Sequence, residues 1–160
     1  MKSLLLILSL LLLSFNANAW VLKKGNLDKT DFDYDMSVKG RVSVLFYVNP
    51  SKKNLNNKAS EAIKAEAFDS KYYASMGIID MKSSWLPNAI ITSSLKKKQK
   101  KYPRTIYLRD LSKSMHGILD FKPKGNDIFV FNAEGEEIYR HLGKLDDAEI
   151  KKVVSVIKTE

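Results

Sequence analysis

Cysteine is missing altogether from this 160-residue chain, which excludes disulfides, thiol redox chemistry and thiolate metal ligation. Hydrophobic packing alone must therefore hold the fold. Histidine occurs only at His116 and His141, too far apart and with neither HExxH nor HxH spacing, so no metal site is expected. Acidic residues are scarce beside basic ones, 18 against 27, for a formal charge of +9. No GxSxG elbow is present, and His116 near Ser112 and Ser114 does not replace one. No repeat of 20 to 50 residues exists, and no Pro/Gly/Ser-rich linker divides the chain.

One long apolar run is present, at the start. Met1-Lys2-Ser3 is followed by Leu4 to Leu13, apolar apart from Ser9, and then by Ala17-Asn18-Ala19. This is the charged start, apolar centre and small-x-small end of a secretory signal peptide, cleaved after Ala19. The run is well short of the ~20 residues that cross a bilayer. A lipid anchor would need a cysteine at the cleavage point. The mature chain, residues 20–160, is expected to be exported to the periplasm as one domain without a transmembrane span, with residues 20–39 forming a strand or hairpin ahead of the main fold.

Period and composition then place the elements. Asp31 to Asp35, "DFDYD", alternates polar and aromatic like a half-exposed strand, and "RVSVLFYV", Arg41 to Val48, reads as a central strand covered on both faces. Leu55, Ala59, Ala62, Ile63 and Ala67 fall at helical spacing within Asn54 to Phe68. "YYASMGIID", Tyr72 to Asp80, is a second strand. A helix over Ala89 to Lys101 has Ile91, Leu95 and Tyr102 as its inner stripe and lysines elsewhere. "TIYLRD" and "DIFVFN" are strands, the latter joined through "AEGE" to "EIYRHL" as an antiparallel hairpin. Asp146 caps a final helix, with Glu149 three residues on and Ile150, Val153, Val154 and Ile157 on one face. These elements describe an α/β fold, a mixed sheet covered by helices.

The stretch "DIFVFNAEGEEIYRHLGKLDDAEIKKVVSVIK" resembles the closing hairpin and helix of the thioredoxin fold. From Gly40 onward the chain resembles the YtfJ family of exported bacterial proteins, through "GRVSVLFYV", "SEAIKA" and "ITSSLKKKQKKYPRTIYLRD". The resemblance implies a single-domain thioredoxin-like sandwich in the periplasm, lacking the CxxC motif. In redox-active members of that fold CxxC follows the strand matching Arg41 to Val48, where this chain has Asn49-Pro50-Ser51-Lys52-Lys53. The proline held in cis before the penultimate strand is also replaced, with Asn126-Asp127 near its position.

Two surfaces are candidates for binding. The corner at Asn49, Pro50, Ser51, Lys52 and Lys53, with Asn126 and Asp127 beside it, pairs a helix start with lysines and suits an anion. Ordinary capping by Ser51 or Asn54 explains the same residues. The second is the basic run of Lys96, Lys97, Lys98, Lys100, Lys101 and Arg104, which attracts polyanions or else forms a solvated face. Outside the cell membrane the partners it implies are an acidic periplasmic protein or an anionic membrane or cell-wall surface. Nucleic acid is not expected, since Tyr102 faces inward and no other aromatic stands among the lysines.

Asp31, Asp33 and Asp35 fail as a calcium loop because Met36 replaces the turn glycine and Val42 the bidentate carboxylate, so three solvent-facing acids are expected. Trp85 and Pro87 in "SSWLPN" either line a peptide groove or, the commoner use of such a pair, seal an edge of the core. His141 is expected to be exposed on the hairpin. The expected function is a noncatalytic binding or assembly protein with no cofactor, metal or catalytic residue. The alternatives are a thiol-independent enzyme using Asp127, Asp120 or His116, or a basic protein on anionic surfaces.

Overall fold

A computed structural model describes residues 19–160. The expected signal peptide up to Asn18 lies outside the described residues. The chain runs β1 (Val21–Leu22), β2 (Phe32–Asp33), α1 (Tyr34–Ser37), β3 (Val42–Val48), α2 (Asn57–Ala65), β4 (Tyr73–Asp80), α3 (Asn88–Lys101), β5 (Thr105–Asp110), α4 (Ser114–Ile118), β6 (Asn126–Phe131), β7 (Glu137–His141) and α5 (Asp147–Thr159). Five strands form one sheet in the order β5-β4-β3-β6-β7. β3, β4 and β5 are parallel, and β6 and β7 join antiparallel. The fold is thus the mixed sheet between helices that the sequence implied, and β3 lies at its centre.

Alternation along β3 separates two apolar layers. Val42 and Val44 pack with Ala59 and Ile63 of α2 and with Ile150, Val153 and Ile157 of α5. Leu45 and Tyr47 face the other way, against Met115, Leu119 and Phe121 and the residues leading into the sheet. In that leading segment β1 and β2 pair antiparallel, and the Trp20 ring stacks on Tyr34 at 4.9 Å. The Tyr34 hydroxyl lies 2.7 Å from Ser43 Oγ in the sheet. Arg109 fastens the same segment to edge strand β5, donating to the carbonyl oxygens of Lys24 (2.8 Å) and Asn26 (2.7 Å).

Several elements differ from the expected boundaries. Only Phe32 and Asp33 of "DFDYD" are extended, because the Asp33 side chain accepts the Met36 N–H and starts α1. Asp31 is exposed while Asp33 and Asp35 are half-buried. The first helix after β3 starts at Asn57, later than expected, because a 3-10 turn over Pro50–Lys52 comes first. Its last turn stops before Ala67, which takes the left-handed φ of 50°. Tyr102 ends α3 as a half-buried cap, not as part of its inner stripe. Gln99 continues the line of Ile91 and Leu95 instead, donating to the Thr105 carbonyl at 2.7 Å and accepting the Tyr107 N–H at 3.1 Å. Helix α4 had no periodic signal. It forms because the Asp110 carboxylate accepts the N–H groups of Ser114 and Met115, both at 3.0 Å, at its first turn.

Candidate functional site

The corner after β3 is tied down from behind by hydrogen bonds to backbone, while Ser51, Lys52 and Lys53 border an open pocket on its outer side. Asn49 Oδ1 accepts the Ser51 N–H at 2.9 Å and caps the 3-10 turn, so Asn49, not Ser51 or Asn54, is the capping residue. Its own N–H donates to the Gly125 carbonyl at 2.8 Å, tying the corner to the approach of β6. Asn56 precedes α2 without capping it because its side chain works elsewhere. Its Nδ2 donates to the carbonyls of Asn126 (2.8 Å) and Gly143 (2.9 Å), and its Oδ1 accepts the Leu145 N–H at 3.0 Å. One buried amide thus joins the corner, β6 and the turn after β7.

Asp127 completes this arrangement. Its carboxylate accepts the N–H groups of Gly143 at 2.8 Å and Lys124 at 3.0 Å. Burial pushes its carboxyl above the usual aspartate range, with the backbone N–H bonds partly opposing that shift. Asn126 and Asp127 are interior residues, a correction to their place on a binding surface. Asp127 binds backbone, Asn126 meets the Asn56 amide and the Lys52 carbonyl, and both are buried, so they have little accessible to offer a partner. Pro50 is half-buried, and Ser51, Lys52 and Lys53 are exposed. Gly125 holds φ at +106°, and a Cβ there would come within 2.9 Å of Lys52 Cγ. Every peptide bond described is trans.

The lysine helix is different in kind. Ile91, Leu95 and Gln99 turn inward, which leaves all five lysines exposed, with Lys98 and Lys101 at the rim of the gap between α2 and α3. Here lies a cavity of about 630 Å³. Phe46, Ile63, Tyr73 and Tyr107 supply its apolar and aromatic surface, Arg41, Lys64, Lys98, Lys101 and Arg104 its positive charge, and Glu61 one carboxylate. Burial pushes the Tyr73 hydroxyl up to about 12, so it stays neutral. Gly77 makes room for this floor, since the Tyr107 ring stands 3.4 Å from where its Cβ would be. The ammonium groups of Lys64 and Lys101 lie over the Tyr102 ring at 5.4 and 5.2 Å. The sequence reading missed Arg41 and Lys64, which come from separate segments.

Two residues of the enzyme alternative neighbour Tyr47, Asp127 as its strand partner and His116 against its ring. Asp120 is exposed, Asp127 is committed to backbone, and the α2–α3 cavity is lined by none of Asp120, Asp127 and His116. His116 stands edge-on to Tyr47 and Phe121, its Nε2 3.8 Å from Asp80 Oδ2 and without a hydrogen bond. Asp80 accepts the Lys82 N–H at 3.0 Å and the Ser83 hydroxyl, and Asp110 accepts the Tyr47 hydroxyl at 3.1 Å, so both carboxylates already serve local structure. His141 is half-buried, its Nε2 3.0 Å from the Lys144 carbonyl, in contrast to the expected exposure. Trp85 does not seal the core; 91% of it is exposed. Among the described residues no group of three His, Asp or Glu side chains could hold a metal ion, and no helix is long and apolar enough to cross a membrane.

The model of a family described as a bacterial protein of unknown function, YtfJ_HI0045, matches residues 16–160. No curated protein matches by sequence. Among solved structures, a putative thioredoxin from Neisseria meningitidis is similar at 14% identity and a TM-score of 0.63, covering 89% of both chains. The exposed lipoprotein thioredoxin Etrx1 of Streptococcus pneumoniae is similar at 12% identity and a TM-score of 0.63, covering 86% of this chain and 98% of its own. A secreted disulfide oxidoreductase of Mycobacterium tuberculosis is similar at 15% identity and a TM-score of 0.58, covering 89% and 99%. At these identities the likeness establishes the fold, which is thioredoxin-like.

Proposed function

The chain belongs to the YtfJ_HI0045 family of bacterial proteins, and from that premise we propose that it is a noncatalytic, exported binding protein built on a thioredoxin-like scaffold. The cysteine-free corner and the buried network behind it carry this reading. Where the fold elsewhere presents reactive sulfur, this chain has Asn49 capping a turn, backed by Asn56 and Asp127 bonded to backbone, and no thiol. A buried network satisfied in this way stabilises a structure and keeps its own polar groups out of any chemistry. Binding falls to the opposite end of the strands, where cations collect around an aromatic cavity.

Export is supported by the leader-like run ending at Ala19 and by neighbours described as an exposed lipoprotein and as secreted. Domain limits of 20–160 follow from the same cleavage point. N-terminal sequencing of the protein recovered from the periplasm is expected to begin at Trp20; retention in the cytoplasm with Met1 intact would refute export. For the absence of catalysis, the purified mature protein is incubated with periplasmic extract and the small molecules are profiled. No compound should be consumed. Consumption that disappears in His116→Ala would make the protein an enzyme.

A further inference from the structure

We propose that the cavity between α2 and α3 is a ligand site for a small amphipathic organic anion. The ligand class is a compound with one carboxylate, phosphate or sulfonate head and a flat aromatic or acyl body. The proposal rests on the reading of the protein as a binding protein and names the kind of molecule its site would take.

Topology builds the site. β3, β4 and β5 are parallel, so α2 and α3, which cross back between them, both end beside the starts of those strands. Arg41 precedes β3 and Arg104 precedes β5, so both guanidinium groups come to the same end as the last turns of the two helices. Lys64, Lys98 and Lys101 occupy those last turns. Helix C-termini favour cations, and that preference accounts for part of the clustering. It does not account for Arg41 and Arg104, which lie outside helices. Nor do two half-charges of helix dipole balance five full positive charges.

Convergence on one concave place sets these cations apart, since lysines such as Lys53, Lys97 and Lys113 also stand without a salt bridge but line no such cavity with them. Lys23, Lys39, Lys58 and Lys158 each meet a carboxylate within 3.2 Å. Around the cavity only Lys64 has one, Glu61 at 3.8 Å. Arg41 donates to the carbonyls of Ser37 (2.7 Å) and Ser70 (3.4 Å), and Arg104 to that of Phe68. These bonds hold the guanidinium groups in place while leaving their charge uncancelled, an arrangement ready for a bidentate anion. The aromatic floor would receive an apolar body, and about 630 Å³ is the scale of small-molecule sites. The match of a cationic rim to a recessed aromatic floor selects an anion with an apolar part over a bare inorganic ion.

The test is fluorescence titration of the mature protein with anilinonaphthalene sulfonate, its uncharged counterpart phenylnaphthylamine, and phosphatidylglycerol vesicles at low salt. Competition uses dodecyl phosphate against inorganic phosphate, and amide spectra of nitrogen-labelled protein locate the site. Saturable single-site binding is expected, about tenfold tighter for the sulfonate than for the uncharged dye. Shifts should centre on Tyr73, Lys98 and Tyr107, and dodecyl phosphate should displace the probe where inorganic phosphate does not. The double variant Lys98→Gln with Arg104→Gln is expected to weaken binding by about tenfold or more, and Ser75→Trp to abolish it by filling the floor. If Ser75→Trp does not fold, the surface double variant still decides the matter. Unsaturable binding, equal affinity in the double variant, shifts at the Asn49–Lys53 corner, or association with vesicles alone would overturn the proposal. None of these outcomes would create turnover, so the failure of the site and the failure of the noncatalytic reading are seen in different assays.

Discussion

The corner after β3 and the cavity between α2 and α3 are both rich in polar side chains, yet they differ in what those side chains still lack. At the corner the amide of Asn56 and the carboxylate of Asp127 meet backbone partners at 2.8 to 3.1 Å. In the cavity four of the five cations face no carboxylate within salt-bridge reach. A polar group that is satisfied within the chain contributes to stability; one left unsatisfied in a concave place is available to a ligand. Substitutions at the two places should therefore separate cleanly between folding and binding.

The strongest way to break that division is Asn56→Ala. It orphans two buried carbonyls and one N–H, and urea denaturation should show a loss of about 3 kcal/mol. A loss under about 1 kcal/mol would mean that water replaces the amide and that the corner is more open than it looks. Gly125→Ala comes next. The positive φ and the approach to Lys52 should cost about 2 kcal/mol, again read from the denaturation midpoint.

Asp127 sharpens the comparison through pH. Its carboxyl is raised in the folded state, so ionising it costs more there than in the unfolded chain. Its stabilising contribution is full below the ordinary aspartate value of 3.8 and declines as pH rises through the raised folded value. The stability advantage of wild type over Asp127→Asn should therefore fall as pH rises across that window, read from denaturation midpoints at a series of pH values. An unchanged difference would show that the backbone N–H groups fully offset burial. The smallest effect belongs to the cavity. Lys98→Gln with Lys101→Gln should move stability by no more than about 0.5 kcal/mol in thermal melts. A larger loss would make these lysines part of the fold's support and erase the contrast with the corner.

Local chemistry was readable from the chain, and assembled chemistry was not. The last helix announces itself through Asp146, whose side chain accepts the Glu149 N–H at 2.8 Å, and through Ile150, Val153 and Ile157 at regular spacing. α4 left no such trace. It has five residues, follows Lys113 in the left-handed region, and depends on a carboxylate at the end of the preceding strand. Asn56 is one asparagine among several neighbours in "NLNNK", and only the return of β6 and the turn after β7 reveals its task. The lysine run was visible as a run, but that Lys98 and Lys101 of it border the cavity while Lys96, Lys97 and Lys100 do not follows from the packing of Ile91 and Leu95. Arg41 and Arg104 join them only through the parallel order of the strands.

Gln99 also matters for how copies of this chain meet. By occupying the outward carbonyl of Thr105 and N–H of Tyr107, while Arg109 N–H reaches the Gly25 carbonyl at 2.9 Å, it leaves the β5 flank few free main-chain groups for a foreign strand to pair with. A sheet bounded in this way resists growing into a ribbon at that margin, a safeguard for a molecule with no crosslinks to keep it from unravelling in a crowded compartment.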